Sequence, residues 1–220
     1  RELTIAAKEG GGDPNFNPRL RLAIEKAKAG NMPKDILERA IKKGSGELEG
    51  VDFTEMRYEG YGPAGTAFIV EAVTDNKNRT ASEMRMTFSR KDGNLGADGA
   101  VSWMFKKKGI ITVKSEGIDM DEFMMAALEA GAEDVEESDG VFEVTTEYTE
   151  FQTVLENLKN AGYQYEDAEI TMIPENTVEI TDLETAKKVM ALYDALEDLD
   201  DSQNVYSNFD ISDEILEQLD

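Results

Sequence analysis

The sequence contains no cysteine and no histidine. The absence of cysteine excludes disulfide bonds and thiol nucleophiles, and it is typical of proteins that fold in a reducing compartment. The absence of histidine removes the most frequent general base and metal ligand, and it excludes every Ser-His-Asp relay. Zinc sites built from cysteine and histidine are excluded as well. We therefore expect no enzyme activity, no catalytic residues, no bound metal and no cofactor.

Long hydrophobic runs are also missing. No apolar stretch approaches the roughly 20 residues that a membrane-spanning helix needs, and no charged-then-apolar leader precedes the first amphipathic segment. We therefore expect a soluble, cytoplasmic protein without a membrane partner. The chain begins at Arg1, inside a predicted helix from Glu2 to Glu9, so we expect the full protein to have further residues before it.

Positive charge is scarce overall but is concentrated in one part of the chain. The net charge of −24 argues against nucleic-acid binding when it is taken as a single number. Residues 1–46 carry ten Lys and Arg against six Asp and Glu, residues 47–113 carry nine against ten, and residues 114–220 carry four against thirty-one. Because salt screens exposed charges beyond about 8 Å, a distant acidic surface does not cancel a basic one. The basic N-terminal half therefore remains a candidate for binding phosphate, and the acidic half is interpreted as a solubilising surface.

The first ninety residues show two kinds of hydrophobic spacing. Up to residue 46, apolar residues recur at helical spacing between glycine and proline breaks, which predicts a small helical unit. From about Val51 apolar residues recur at every second position, which predicts a hairpin of strands at 53–58 and 67–73. Residues 77–90 then return to helical spacing and predict a long helix.

A second β-rich segment begins near residue 101. Val101, Trp103 and Phe105 alternate as in a strand, and we expect residues 106–109 to form a turn into a strand at 110–113. The following elements have β-α-β-β-α-β order, which is typical of a ferredoxin-like domain. They are the strand at 110–113, a helix from Asp119, strands near 133–137 and 141–146, a helix from Thr149 and a strand at 165–173.

Side chains with capping potential mark the starts of the later helices. Asp119 with Glu122 and Thr149 with Gln152 have the spacing of helix caps. The last part of the chain predicts a strand at 177–180, a helix opened by a Thr181/Glu184 capping box, a strand at 204–209 and a short C-terminal helix. The fold class is therefore α+β with several domains.

Basic side chains in three elements are the candidate nucleic-acid-binding site. Lys and Arg neutralise phosphates and release counterions, and Arg adds bidentate geometry. An ordinary solvated surface explains the spacing of these residues equally well. The candidates are Arg39, Lys42 and Lys43 in the helical unit, Arg79, Arg85, Arg90 and Lys91 on the long helix, and Lys106, Lys107 and Lys108 in the expected turn.

Four other features have a structural interpretation beside the functional one. The glycine-rich loop at 91–99 has N–H groups that suit a phosphate cradle, but a structural loop is favoured because no nucleotide-binding pattern fits. Tyr58, Tyr61 and Trp103 have the rings to stack on exposed bases, and strand core explains Trp103 equally well. The acidic stretch at 197–201 is interpreted as a solvated loop rather than a cation site.

The fourth feature is a methionine-rich helix. Met120, Met124 and Met125, with Phe123 and Leu128, have the composition of a soft partner groove or of ordinary core. We favour core.

Several motifs resemble one known family. They are Ala6-Ala7-Lys8-Glu9-Gly10-Gly11-Gly12-Asp13-Pro14, Asn31-Met32-Pro33-Lys34-Asp35, Ile41-Lys42-Lys43-Gly44, Tyr58-Glu59-Gly60-Tyr61-Gly62-Pro63 and Thr74-Asp75-Asn76-Lys77-Asn78-Arg79-Thr80. They resemble the YebC/PmpR family of transcriptional regulators, whose mitochondrial relatives act as translational activators of a cytochrome oxidase subunit. The match runs through residues 1 to about 113, and the domain order fits the rest.

The resemblance implies three domains: a helical N-terminal domain (1–48), a central α/β domain (49–113 plus 175–220) and an inserted ferredoxin-like domain (114–174). It also implies a cytoplasmic location and a Lys-rich stretch before the first motif. Its functional implication is DNA binding in transcription, with action on ribosomal or messenger RNA, and thus on the ribosome, as the alternative. The residues themselves also leave a third function as an alternative, that of a protein-interaction adaptor that uses the acidic domain.

Overall fold

Three short helices form the N-terminal part of the fold. A computed structural model describes residues 1–219 of the chain. In it α1 spans Glu2–Gly10, α2 spans Pro18–Ala29 and α3 spans Lys34–Gly44. Asn17 caps α2 by accepting a hydrogen bond from the N–H of Leu20. These helices confirm the helical unit predicted from the spacing.

The three helices share a small apolar core and pack closely. Leu3, Ala6 and Leu20 are buried in it together with Ala7, Ala23 and Leu37. A Cβ atom on Gly44 would lie 2.2 Å from the carbonyl oxygen of Thr4 and 2.8 Å from the Cβ of Ala7. Glycine at the end of α3 therefore permits a close approach to α1 that any other residue would block.

A β-hairpin and a long helix follow. The strands are β1 (Thr54–Tyr61) and β2 (Ala67–Thr74), the helix is α4 (Lys77–Arg90), and β3 (Asn94–Leu95) is a short third strand. The strands β1 and β2 pair antiparallel, and the hairpin and helix confirm the sequence-based predictions. The prediction of a strand at 101–105 is wrong, because residues Ser102–Met104 form a single 3-10 turn.

The next six elements form the second compact unit, residues Phe105–Ile173. They are β4 (Phe105–Lys114), α5 (Met120–Ala130), β5 (Asp134–Ser138), β6 (Val141–Glu147), α6 (Phe151–Asn160) and β7 (Tyr165–Pro174). The sheet has the order β5-β6-β4-β7. This order, with one helix after the first strand and one after the third, confirms the ferredoxin-like prediction.

The expected turn at residues 106–109 is wrong. These residues lie inside β4, which pairs with β6 from Lys108 to Lys114. A Cβ on Gly109 would lie 2.4 Å from the Thr146 hydroxyl and 2.5 Å from the ring of Phe151. This glycine therefore marks close packing between the strand and α6, which a sequence pattern does not distinguish from a turn.

The C-terminal segment completes the first unit, which comprises residues 1–104 and 174–220. Its elements are β8 (Val178–Ile180), α7 (Leu183–Glu197), β9 (Ser202–Ser207), β10 (Phe209–Ile211) and α8 (Asp213–Leu216). Strand β9 joins the hairpin in a sheet of order β3-β1-β2-β9, while β8 and β10 form a separate parallel pair. The predicted strand at 204–209 is therefore two strands, interrupted at Asn208, whose side chain accepts from the N–H of Ala67.

Of the three predicted helix caps, one is confirmed and two are wrong. Asp119 caps α5 by accepting from the N–H of Glu122, as expected. The start of α6 has no side-chain cap, so the Thr149 prediction is wrong. The cap of α7 is Asp182, one residue after the predicted Thr181. In residues 1–219, no helix is long and apolar enough to cross a bilayer.

Candidate nucleic-acid interface

The cations of α3 lie on its solvent side. Leu37 faces the apolar core, and Arg39 and Lys42 are exposed. The stem of Lys43 passes over Gly50, so that side chain is partly covered. Within residues 1–219 none of Arg39, Lys42 and Lys43 forms an ion pair with a carboxylate. The end of α3 therefore presents three charges that are not neutralised inside the protein.

The cations of α4 do not form one cluster. A helix turns 100° and rises 1.5 Å per residue, so Arg79 and Arg90 share a face but lie about 16 Å apart. Arg85 lies about 120° around the axis from Arg79. Arg85, Arg90 and Lys91 are exposed, and the described part of the chain gives them no ion-pair partner. Arg79, Arg85 and Arg90 therefore do not form a single patch on α4.

Arg79 has a structural role. Its guanidinium lies 2.9 Å from a carboxylate oxygen of Asp75 and 2.9 Å from one of Asp201. The Asp201 side chain is buried and also accepts hydrogen bonds from the Thr80 hydroxyl (2.6 Å) and from Arg1 (2.8 Å). Burial alone would raise the pKa of Asp201, but the Thr80 hydrogen bond and the Arg79 charge outweigh it and lower the pKa.

This buried carboxylate changes the interpretation of the acidic stretch at 197–201. A solvated loop was predicted, and Asp201 at its end is instead buried with 1% of its surface exposed. Its partner Arg79 lies 122 residues earlier in the chain, so local sequence patterns contain no signal for the pair. The contact with Arg1 ties the start of the helical domain to the central domain.

The lysines of β4 belong to the second unit and are partly neutralised. Lys108 lies 2.7 Å from both Glu133 and Glu147. Hydrogen bonds to these two carboxylates raise the pKa of Lys108. Lys107 lies over the ring of Tyr148, 5.2 Å from its centroid, and Lys106 is exposed. Lys108 is therefore an internal partner of the acidic unit.

The glycine-rich loop is held by a carboxylate of the protein itself. Glu59 is buried and accepts hydrogen bonds from the N–H groups of Gly99 (2.7 Å), Val101 (3.1 Å) and Ser102 (2.6 Å). Burial would raise the pKa of Glu59, but these N–H donors lower it. The N–H of Gly99 at the end of the loop and the N–H groups of Val101 and Ser102 just after it are thus occupied by a carboxylate of the protein, which supports the structural interpretation of the loop.

The three aromatic candidates have different environments. Tyr58 is buried, whereas Tyr61 is 37% exposed and Trp103 is 70% exposed. The Tyr61 hydroxyl and the Trp103 indole N–H both donate to the carbonyl of Ala100, at 3.3 Å and 3.0 Å. The suggestion that Trp103 belongs to a strand core is wrong, and its ring is available to a ligand.

The methionine-rich helix α5 divides between core and surface. Phe123 is buried and stacks on Phe142 with ring centroids 4.4 Å apart, as the core interpretation predicted. Met125 is 65% exposed and Leu128 is 50% exposed. In residues 1–219, no group of three or more acidic side chains is arranged to hold a metal ion.

One exposed residue was missed by the sequence analysis. Phe16, in the loop between α1 and α2, is 84% exposed. It lies in no periodic segment, so hydrophobic spacing does not single it out.

These features define a class of protein: an α+β chain with a basic helical domain, a central sheet domain and an acidic ferredoxin-like insertion. Residues 1–47 match the model of the TACO1/YebC protein N-terminal domain, and residues 53–209 match the model of the TACO1/YebC second and third domain. The chain belongs to the TACO1/YebC family. The family is named for regulatory proteins rather than for an enzyme activity.

Relatives and a solved structure agree with this assignment. A probable transcriptional regulatory protein of Fusobacterium nucleatum subsp. nucleatum is 96% identical over 220 residues, which is 100% of this chain and 88% of the relative. A protein of the same description from Geobacter sulfurreducens is 56% identical over 219 residues, again with 100% and 88% coverage. The crystal structure of a conserved hypothetical protein from Aquifex aeolicus is similar, with a TM-score of 0.87 and 51% identity, and the match covers 98% of this chain and 88% of that one.

Proposed function

We propose that this protein is a regulator that binds nucleic acid through its helical domain, and that its main function is DNA-binding control of transcription. The observation that carries the proposal is the unneutralised basic end of α3, on a domain with ten Lys and Arg against six Asp and Glu in residues 1–46. Phosphate contacts of this kind supply affinity without sequence information. The choice of transcription is supported by the description of the relatives as probable transcriptional regulatory proteins.

The candidate cations fall into a main set, an additional set and two residues held in ion pairs. Arg39, Lys42 and Lys43 form the main set, and Arg85, Arg90, Lys91, Lys106 and Lys107 are additional cations on their own elements. Arg79 and Lys108 are assigned to ion pairs within the protein, so a change at either position would disturb structure as well as charge.

A salt titration of binding tests the main set. The double variant Lys42→Gln/Lys43→Gln removes up to two phosphate contacts, so the slope of log affinity against log salt should fall by about 0.9 per contact on duplex DNA. Affinity should fall to a similar degree for all sequences. The matched control is Lys187→Gln/Lys188→Gln, a pair of adjacent lysines on another helix that are both exposed, which should leave the slope unchanged. Equal slopes for the wild type and the Lys42/Lys43 variant would remove the basis of the proposal.

Action on RNA at the ribosome is the second candidate. The exposed rings of Tyr61 and Trp103 favour it, because proteins read unpaired RNA by stacking bases on aromatic side chains. Crosslinking in cells followed by sequencing of the recovered nucleic acid separates the two candidates. Promoter DNA supports transcription, and ribosomal or messenger RNA supports translation.

An adaptor function rests on a different observation. Met125 and Leu128 lie three residues apart on α5, on the same face, and both are exposed on an acidic unit. Such a face suits a protein partner with apolar and basic groups. Recovery of a protein partner with no salt-dependent binding to DNA or RNA would favour this function over the other two.

A further inference from the structure

Phe16 has the most exposed large apolar side chain in residues 1–219, with 84% of its surface accessible. Its neighbours in the loop sequence are Gly12, Asp13, Pro14, Asn15 and Asn17, so the loop itself carries no second large apolar side chain. A protein-docking surface is built around a cluster of apolar residues with an excluded rim. A single ring among polar groups is instead suited to stacking against one flat partner.

The loop that carries Phe16 is fixed at several points. The buried Asn17 side chain donates to the carbonyls of Ala6 (2.7 Å) and Gly11 (2.8 Å). Arg21 donates to the carbonyls of Pro14 (3.2 Å) and Asn15 (3.3 Å). The ring is therefore presented by an ordered backbone, which reduces the entropy lost on binding.

The loop packs against the end of α3, the helix that carries the main set of cations. A Cβ on Gly12 would lie 3.2 Å from the Cβ of Ser45 and 3.5 Å from a methyl group of Ile41, so the loop packs against the last turn of α3. That turn carries Lys42 and Lys43. The nearest negative group in the loop, Asp13, accepts a hydrogen bond from the N–H of Asn15. A domain that carries both an exposed aromatic ring and backbone-binding cations has the groups by which proteins hold single strands.

We infer that Phe16 stacks on an unpaired nucleobase of a strand whose phosphates contact the cations of α3. The inference rests on the proposed function and adds to it a ligand class: single-stranded or locally opened DNA or RNA. Base stacking tolerates any sequence because every base has a flat face. The cations then supply the salt-dependent part of the affinity, and Phe16 supplies a part that salt does not change.

Binding is measured with three probes of one sequence: single-stranded DNA, single-stranded RNA and duplex DNA. Phe16→Ala should weaken binding to the single strands by on the order of tenfold and leave the salt slope unchanged, because no phosphate contact is lost. Phe16→Leu keeps most of the apolar volume but not the flat face, so it should lose nearly as much affinity for the single strands as Phe16→Ala. Phe16→Tyr keeps the flat face and should bind as the wild type does. The matched control is Ile36→Ala, which removes another exposed apolar side chain of the same domain.

Fluorescence gives a second readout. The chain has one tryptophan, so Phe16→Trp combined with Trp103→Phe places the only indole at position 16. Its emission should be quenched when a single strand binds, and less so with duplex. The relative quenching by the two single strands shows which polymer supplies the base.

The outcomes separate the inference from the function on which it rests. If the wild type binds none of the three probes, the proposed function fails, and this inference fails with it. A second outcome is that the wild type binds and the Lys42/Lys43 variant binds more weakly, but the affinity of Phe16→Ala stays within twofold of the wild type and the emission of the indole at position 16 is not quenched. In that case only the stacking inference is overturned. The stacking inference is also overturned if Phe16→Leu binds as the wild type does, because the ring is then a generic apolar contact. It is overturned as well if Phe16→Ala lowers the salt slope, because the ring then acts by positioning the lysines.

Discussion

Two buried carboxylates, Glu59 and Asp201, show how single residues organise this protein. Each is almost fully covered, and each accepts several hydrogen bonds. Glu59 fixes the backbone of the glycine-rich loop, and Asp201 joins Arg1, Arg79 and Thr80. A buried charge of this kind costs free energy unless it is fully partnered, so its partners become structural residues. Arg79 is therefore a partner of Asp201 inside the protein and is not one of the cations left for a ligand.

Asp201→Asn should destabilise the protein at neutral pH. The amide cannot accept as the carboxylate does, Arg1 loses its counter-charge and Arg79 keeps only Asp75, so the free energy of unfolding should fall by about 2 kcal/mol. The folded pKa of Asp201 is lowered, so its stabilisation is complete above the unfolded pKa of about 4 and is lost as the pH falls through the folded value. Denaturant titrations at pH 7 and at about pH 3 should show the gap between wild type and variant narrowing in acid.

Asp200→Asn is the matched control for this change. It removes the same charge one residue earlier, but Arg1 contacts residue 200 through its backbone carbonyl. A surface change of this kind stays within about 0.5 kcal/mol. Equal losses for the two variants would contradict the role assigned to the buried carboxylate.

At the scale of secondary-structure elements, close approach between backbones decides the packing in two places. Gly44 lets α3 contact α1, and Gly109 lets β4 contact α6. In the sequence both glycines resemble stop or turn signals. The stop at Gly44 is real, because α3 ends there, while the turn at Gly109 does not exist.

Gly44→Ala should destabilise the helical domain. The added methyl group would lie 2.2 Å from the backbone oxygen of Thr4, so α1 and α3 would have to separate, at a cost of about 1–3 kcal/mol. Thermal unfolding followed by circular dichroism measures the loss. Gly30→Ala is the control, because its Cβ would meet nothing closer than 3.4 Å and its φ of −80° suits alanine. A Gly44 variant as stable as the Gly30 variant would mean that the two helices can move apart freely.

How far the sequence predicts this fold depends on whether its signals are local. The helix at 77–90 is predicted to the residue, because its hydrophobic spacing is a local signal. The exposure of Arg39 and Lys42 follows from the same spacing. The pairing of Arg79 with Asp201 and of Lys108 with Glu133 brings distant residues together, so no local pattern indicates it. Phe16 lies in a loop outside every periodic segment, so hydrophobic spacing contains no signal for its exposure.

On the scale of the whole molecule, the apolar core divides at the boundary between the two compact units, and net positive charge is confined to the helical domain. Residues 105–173 contain five Lys and Arg against seventeen Asp and Glu, whereas the helical domain is net positive. Each compact unit also has its own apolar core. Phe68, Phe88, Val189 and Leu192 are buried in the first unit, and Phe123, Phe142 and Phe151 are buried in the second. The unit that carries the basic helical domain and the acidic second unit therefore have stabilities with separate sources.

Core truncations should consequently act within one unit. Phe142→Ala removes a ring that stacks on Phe123, and such a change costs about 3–5 kcal/mol. Hydrogen–deuterium exchange should become faster throughout residues 105–173 and stay unchanged in α4 and α7, because local opening follows the stability of the cooperative unit. Phe88→Ala is the reciprocal change and should speed exchange in β1, β2, α4 and α7 while leaving α5 and α6 unchanged. If either variant speeds exchange equally in both units, the chain unfolds as one cooperative body and the separation of the two stabilities is wrong.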